Sequence, residues 1–164
     1  LTISPDTVAW LRWLASGLGS GWLPGAPGTW GSLICLLPAW LLLDAFGAAG
    51  LLIGSGLALV VGCVVCFLLL AGMQDKDPGW IVIDEWAGQW LCLALAADAF
   101  GDSLLAFALA FAIFRLLDIF KPWPICLFER LGPPWWSIMA DDAAAGALGG
   151  LIVKIMAAAS GVVS

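Results

Sequence analysis

The sequence predicts an all-α fold: a polytopic membrane helix bundle of about four to five transmembrane helices with an N-terminal interfacial helix. Three observations predict it. Of the 164 residues, 63% are hydrophobic and only 11% charged, against about 45–50% and about 25% in a soluble domain. The apolar residues gather into runs, several of them near membrane length. Short polar or Gly/Pro-rich breaks separate the runs. The same composition excludes other classes. Disorder needs low hydrophobicity and high charge. Six Lys and Arg against twelve Asp and Glu cannot form the basic stripe of a nucleic-acid binder. Five cysteines scattered through apolar runs make no disulfide framework. The absence of His removes every mechanism that needs an imidazole.

The elements follow in order. Residues 5–16 read as a short interfacial helix with Ser4 or Asp6 as cap and Pro5 in its first turn. The first 30 residues lack the pattern of a cleavable leader. Residues 17–32 are rich in Gly and Pro. A first apolar run, 33–43, ends at Asp44, and a second spans 50–72. A polar patch, 74–78, precedes a third run, 81–97, with Asp84 and Glu85 near its start. After a turn at 98–103 comes a fourth, 104–120, carrying Arg115 and Asp118. Residues 121–142 form a Pro-, Gly- and Trp-containing loop, and a fifth run covers 143–163. Runs one and two, and three and four, are expected to form antiparallel hairpins.

An alternating path puts Arg12, Lys76, Lys121 and Arg130 on one side, which the positive-inside tendency makes the cytoplasm. The other side carries Asp44, Asp98 and Asp102. The polar groups then collect at the cytoplasmic end. Arg115 and Asp118 are three apart and share a helix face. A structural ion pair accounts for those two alone. It does not account for Asp84, Glu85, Asp118, Asp141 and Asp142 together, which repel one another unless a divalent cation such as Mg²⁺ sits among them. Arg115 and Lys121 beside such a cluster suggest a phosphate ligand. Backbone N–H groups of the Gly/Pro segment, near Gly28 and Thr29, can approach the same anion, and Thr29 or Ser32 can cap the helix that follows. The alternative for that segment is close helix packing through Gly17-x₃-Gly21-x₃-Gly25. Cys63 and Cys66 lie mid-run and read as packing.

Four segments carry a resemblance: Gly19-Ser20-Gly21…Pro24…Pro27-Gly28-Thr29…Gly31-Ser32; Asp84-Glu85-x₂-Gly88; Phe114-Arg115-Leu116-Leu117-Asp118-x₂-Lys121-Pro122-x-Pro124-Ile125; and Met139-Ala140-Asp141-Asp142-x₃-Gly146. In order and content they resemble those of the phosphatidylglycerophosphatase A family, over about residues 8–155. The resemblance implies a single integral-membrane phosphatase domain over residues 1–164. It implies a multi-pass enzyme of the bacterial inner membrane that converts phosphatidylglycerophosphate to phosphatidylglycerol. It also implies Mg²⁺ dependence and a site facing the cytoplasm. On that basis Asp84, Asp118, Asp141 and Asp142 are the leading expected metal ligands, with Glu85 in second rank. Asp84, Asp118, Asp142 and Arg115 form the expected catalytic set. Arg115, Lys121, Gly28 and Thr29 are expected to hold the phosphate. The expected partners are this lipid and the membrane; no oligomeric state follows. Two rivals stay open. A small transporter or channel needs polar groups at midplane and on both faces. A non-catalytic assembly subunit would use small-residue faces such as Gly146-x₂-Gly149-Gly150.

Overall fold

The computed structural model describes residues 4–101 and 103–160, and every regular element among them is helical. Asp102 and the side chain of Asp98, expected at the turn facing away from the cluster, lie outside what is described. Helix α1, Pro5–Ala15, starts where the sequence places it. Pro5 stands at its first position, and the Ser4 hydroxyl accepts the Thr7 N–H at 3.3 Å. A 3₁₀ turn, Ser20–Trp22, leads to α2, Pro27–Ile34. Thr29 and Ser32 thus lie within α2 rather than capping the next helix, because Pro27 supplies the helix start.

Helix α3, Leu36–Leu70, is broken at Gly47, whose φ of 65° and ψ of −167° reverse the chain. The arms on either side pack antiparallel. A Cβ on Gly54 would lie 3.1 Å from Leu42 Cδ1, and one on Gly50 would strike Phe46. Together with α2, this gives two arms of about 20 and about 23 residues, ~30 and ~35 Å long. The Trp90 indole donates to the Cys35 carbonyl at 2.9 Å where α2 gives way to α3. The Lys76 ammonium takes up the Leu70 carbonyl (2.7 Å) at the far end of α3 and the Met73 carbonyl (2.5 Å) just beyond it.

Helix α4, Ile83–Phe100, is the hub. It packs on α3, α5 (Leu104–Phe120) and α7 (Pro134–Ala159), with the single turn α6, Ile125–Phe128, beside α7. Ser55 on the second arm of α3 donates to the Ala87 carbonyl of α4 at 2.8 Å. The α4–α7 crossing is the tightest. A Cβ on Gly88 would lie 2.5 Å from the Asp142 carbonyl oxygen, and one on Gly146 would overlap the Gly88 carbonyl. Cys92 and Leu95 meet Gly149 and Gly150 further along, so the two helices run parallel. Small residues here let backbones approach directly.

The sequence places the fifth helix at 143–163, with Asp141 and Asp142 in the loop before it. The structure corrects this: α7 begins at Pro134, and both aspartates lie two turns inside it. Two stretches, Pro27–Leu70 and Pro134–Ala159, are long and apolar enough to cross a membrane by length and composition. The outer faces of the arms and of α5 expose large apolar side chains, among them Leu37, Phe46, Ile53, Val60, Leu104 and Ile119. Such a surface is foreign to a soluble monomer. The molecule is membrane-associated.

Candidate active site

The N-terminal turn of α4, the end of α5, the loop before α4 and the first turns of α7 enclose a cavity of about 390 Å³. Its wall carries seven carboxylates, Asp77, Asp84, Glu85, Asp118, Glu129, Asp141 and Asp142, and two ammonium groups, Lys76 and Lys121. The five residues expected as metal ligands thus border one space. The glycine crossing brings them together. Gly88 lies one turn beyond Asp84 and Glu85, and Gly146 one turn beyond Asp142, so backbone contact between these glycines sets the two acidic turns face to face.

Carboxylate oxygens of Asp84, Glu85 and Asp142 all lie within 4.8 Å of one another. All three residues are buried. Each has one buried oxygen without a hydrogen-bond partner: Asp84 Oδ1, Glu85 Oε2 and Asp142 Oδ2. Like charges this close repel, and orphaned buried oxygens are costly. The N-terminus of α4 contributes partial positive charge to Asp84 and Glu85 in its first turn, but less than a full unit. An all-oxygen donor set of this kind fits a hard divalent cation such as Mg²⁺.

Arg115 stands behind this set. Its Nη1 donates to Asp118 Oδ2 at 2.5 Å and to Ser32 Oγ at 3.3 Å, and lies 3.8 Å from Glu85 Oε1. Its Nη2 reaches Thr29 Oγ1 at 3.4 Å. Gly28 completes the seat: a Cβ there would collide with Glu85 Oε1 and lie 3.2 Å from both terminal nitrogens of Arg115. Arg115, Gly28 and Thr29 lie outside the cavity wall. In this arrangement α2 buttresses Arg115, and Arg115 fixes Asp118. Replacing Arg115 by Lys keeps the charge but loses the fork. The expected result is a roughly 10- to 100-fold fall in kcat/KM, with the elution profile of the detergent-solubilised protein unchanged. Wild-type kcat/KM in that variant would refute the positioning role.

Lys121 ends α5 in the left-handed conformation, φ 42° and ψ 55°, costly for a residue with a Cβ. This turn precedes Pro122, and the Lys121 ammonium lies 2.5 Å from Asp141 Oδ2 and 3.0 Å from Glu129 Oε1. Burial lowers the affinity of this amine for its proton; the hydrogen bond and charge of Asp141, joined by Glu129, outweigh it and hold the pKa above the ordinary lysine value. The sequence gives no site role to Lys76 or Ser137, only a minor one to Glu129, and offers the stretch around Asp77 only as a discounted nucleophile motif; all four residues are on the wall. The pattern Asp75-Lys76-Asp77 marks a polar loop but does not say that the loop folds back over α4.

An acidic pocket at one end of an apolar-skinned helical bundle defines the class: a membrane-associated helical enzyme. The family model described as phosphatidylglycerophosphatase A matches residues 13–157, and the chain belongs to that family of phosphoric monoester hydrolases. A Haemophilus influenzae protein named phosphatidylglycerophosphatase A is 39% identical over 140 residues, covering 85% of this chain and 84% of the relative. An Escherichia coli protein of the same name is 37% identical over 135 residues, 82% of this chain and 76% of the relative. A Bacteroides thetaiotaomicron protein with the provisional name phosphatidylinositol-3-phosphatase is 30% identical over 147 residues, 87% and 90% of the two chains. No solved structure matches the chain.

Proposed function

We propose that the chain hydrolyses the terminal phosphomonoester of phosphatidylglycerophosphate, giving phosphatidylglycerol and inorganic phosphate, with Mg²⁺ as cofactor. The observation that carries this reading is the triad of mutually close carboxylates with orphaned oxygens, Asp84, Glu85 and Asp142, in a member of this family. These three would hold the ion, with Asp118 and Asp141 beside them. When bound, Mg²⁺ supplies positive charge to the phosphoryl oxygens and lowers the cost of charge developing there. The chain's own residues do the rest. Lys121 offers the cavity an ammonium for the phosphate. Arg115 keeps Asp118 oriented from behind. A carboxylate of the set takes the proton of the attacking water; the bond from phosphorus to the glycerol oxygen breaks, and that oxygen takes up a proton, returned from the carboxylate through the pocket, and leaves as the alcohol of the product.

The same reading extends to the membrane. The two arms about Gly47, α4, α5 and α7 would each cross, five passes in all. In favour are the lengths of α4 and α5, 18 and 17 residues, about 27 and 25 Å. Also in favour is the position of the polar turns of α4 on the inside of the bundle. Lys76 and Lys121 at the pocket end argue for a cytoplasmic pocket in a bacterial inner membrane. Trp10, Trp22 and Trp123, all exposed, suit the headgroup layer at that level. A transport role finds no support in an acidic set confined to one end.

The test is phosphate release by detergent-purified protein from phosphatidylglycerophosphate, phosphatidylinositol 3-phosphate and phosphatidic acid, with Mg²⁺ and with excess EDTA. The expected result is Mg²⁺-dependent release, fastest from phosphatidylglycerophosphate. Faster release from phosphatidylinositol 3-phosphate would overturn the substrate. No release from folded protein would overturn the reaction, and release unaffected by EDTA would overturn the cofactor.

A further inference from the structure

The cavity wall has two cations for its seven carboxylates, and they are not equivalent. The Lys76 ammonium is committed to two backbone carbonyls. Lys121 holds two carboxylates of opposite character. Asp141 is buried, its side chain 5% exposed; Glu129 is open, its side chain 43% exposed, 3.0 Å from the ammonium. Glu129 is the cap residue at the end of α6, on the segment whose Trp123, Leu127 and Leu131 are exposed apolar groups. The Lys121–Glu129 pair therefore stands where an apolar, membrane-compatible surface meets the acidic cavity.

We propose that Glu129 is a built-in competitor for the substrate's phosphate: its carboxylate fills the anion position on Lys121 when the pocket is empty, and a phosphomonoester must displace it. This rests on the phosphatase reading above. Carboxylate and phosphate are both oxyanions that accept from an ammonium. A phosphomonoester near neutral pH carries more charge than a carboxylate or a phosphodiester, so it wins the exchange where a diester does not. An exposed ion pair contributes little to stability, so displacing Glu129 is cheap. Its return after hydrolysis would compete with inorganic phosphate and favour release. Asp141, buried against the same ammonium, keeps Lys121 in place throughout.

The test is calorimetric titration of inorganic phosphate into detergent-purified full-length protein with Mg²⁺ present, for wild type, Glu129→Gln, Glu129→Asp and Asp6→Asn. Asp6→Asn removes the same charge from exposed α1. The expected result is phosphate binding roughly three- to tenfold tighter in Glu129→Gln, with Glu129→Asp near wild type and Asp6→Asn unchanged. In kinetics, Glu129→Gln should lower KM and the inhibition constant of phosphate by a similar factor, without raising kcat. Phosphate affinity unchanged or weaker in Glu129→Gln would overturn the proposal, as would an equal gain in Asp6→Asn. Tighter phosphate binding in Glu129→Gln from a protein that hydrolyses no lipid phosphate would uphold the competition and overturn the phosphatase reading instead.

Discussion

Replacing Asp142 by Asn should abolish turnover, by roughly a thousandfold or more, while making the cation-free protein harder to unfold. Both effects come from one geometry. Asp142 faces Asp84 and Glu85 with oxygens inside 4.8 Å, and its Oδ2 is buried without a partner. A neutral amide there removes a ligand of the proposed cation and one of three mutually repelling charges. In wild type, adding Mg²⁺ should raise Tm by the usual linkage of ligand binding to folding, ~3 kcal/mol at a hundredfold excess over Kd. In Asp142→Asn the Mg²⁺ shift should largely vanish, although the starting Tm is higher by a few degrees. Thermal unfolding with and without Mg²⁺, run beside the phosphate-release assay, reads both. Turnover within tenfold of wild type, or an undiminished Mg²⁺ shift, would remove Asp142 from the site.

The second large effect concerns assembly. Gly146→Val places a branched side chain where the Gly88 carbonyl stands, and both partners are backbone. No rotamer change relieves that overlap, so α4 and α7 must separate. Overpacking of this kind costs about 3 kcal/mol or more, a large share of a stability of about 5–15 kcal/mol. The variant should elute as aggregate or unfold well below wild type in detergent, with activity lost in proportion. Gly56→Ala is the control. A Cβ there meets nothing within 4 Å, and alanine suits the helix better than glycine. It should fold as wild type or slightly better. A monodisperse, active Gly146→Val protein would show that the crossing is not needed.

Much of this arrangement is legible in the sequence because hydropathy reads helices well. Helix α5 occupies the residues its apolar run marks, Leu104–Phe120. Helix α1 ends one residue short of the expected 16. The glycines after Asp44 announce the reversal at Gly47. Helix α7 is less legible: two adjacent aspartates interrupt its apolar run and push its apparent start beyond them. Pro133-Pro134 carries the missing signal, since proline is favoured in a first helical turn, and Pro134 opens the helix. Among the acidic residues, the Arg115–Asp118 pair follows from local spacing. The contacts from Arg115 to Ser32 and Thr29 span 83 and 86 positions, and no local pattern encodes them. The partner of the Gly146, Gly149 and Gly150 face was equally hidden. A small-residue stripe says that a helix will come close, not which one.

The meeting of Gly88 with Gly146 also sets a clock on biogenesis. During synthesis the two arms about Gly47, α4 and α5 emerge before α7. Until α7 docks, Asp84 and Glu85 lack Asp142 across from them, and the cavity lacks a wall. A chain that stops short of α7 then carries an incomplete acidic pocket. The pocket is completed in a single step, when α7 docks.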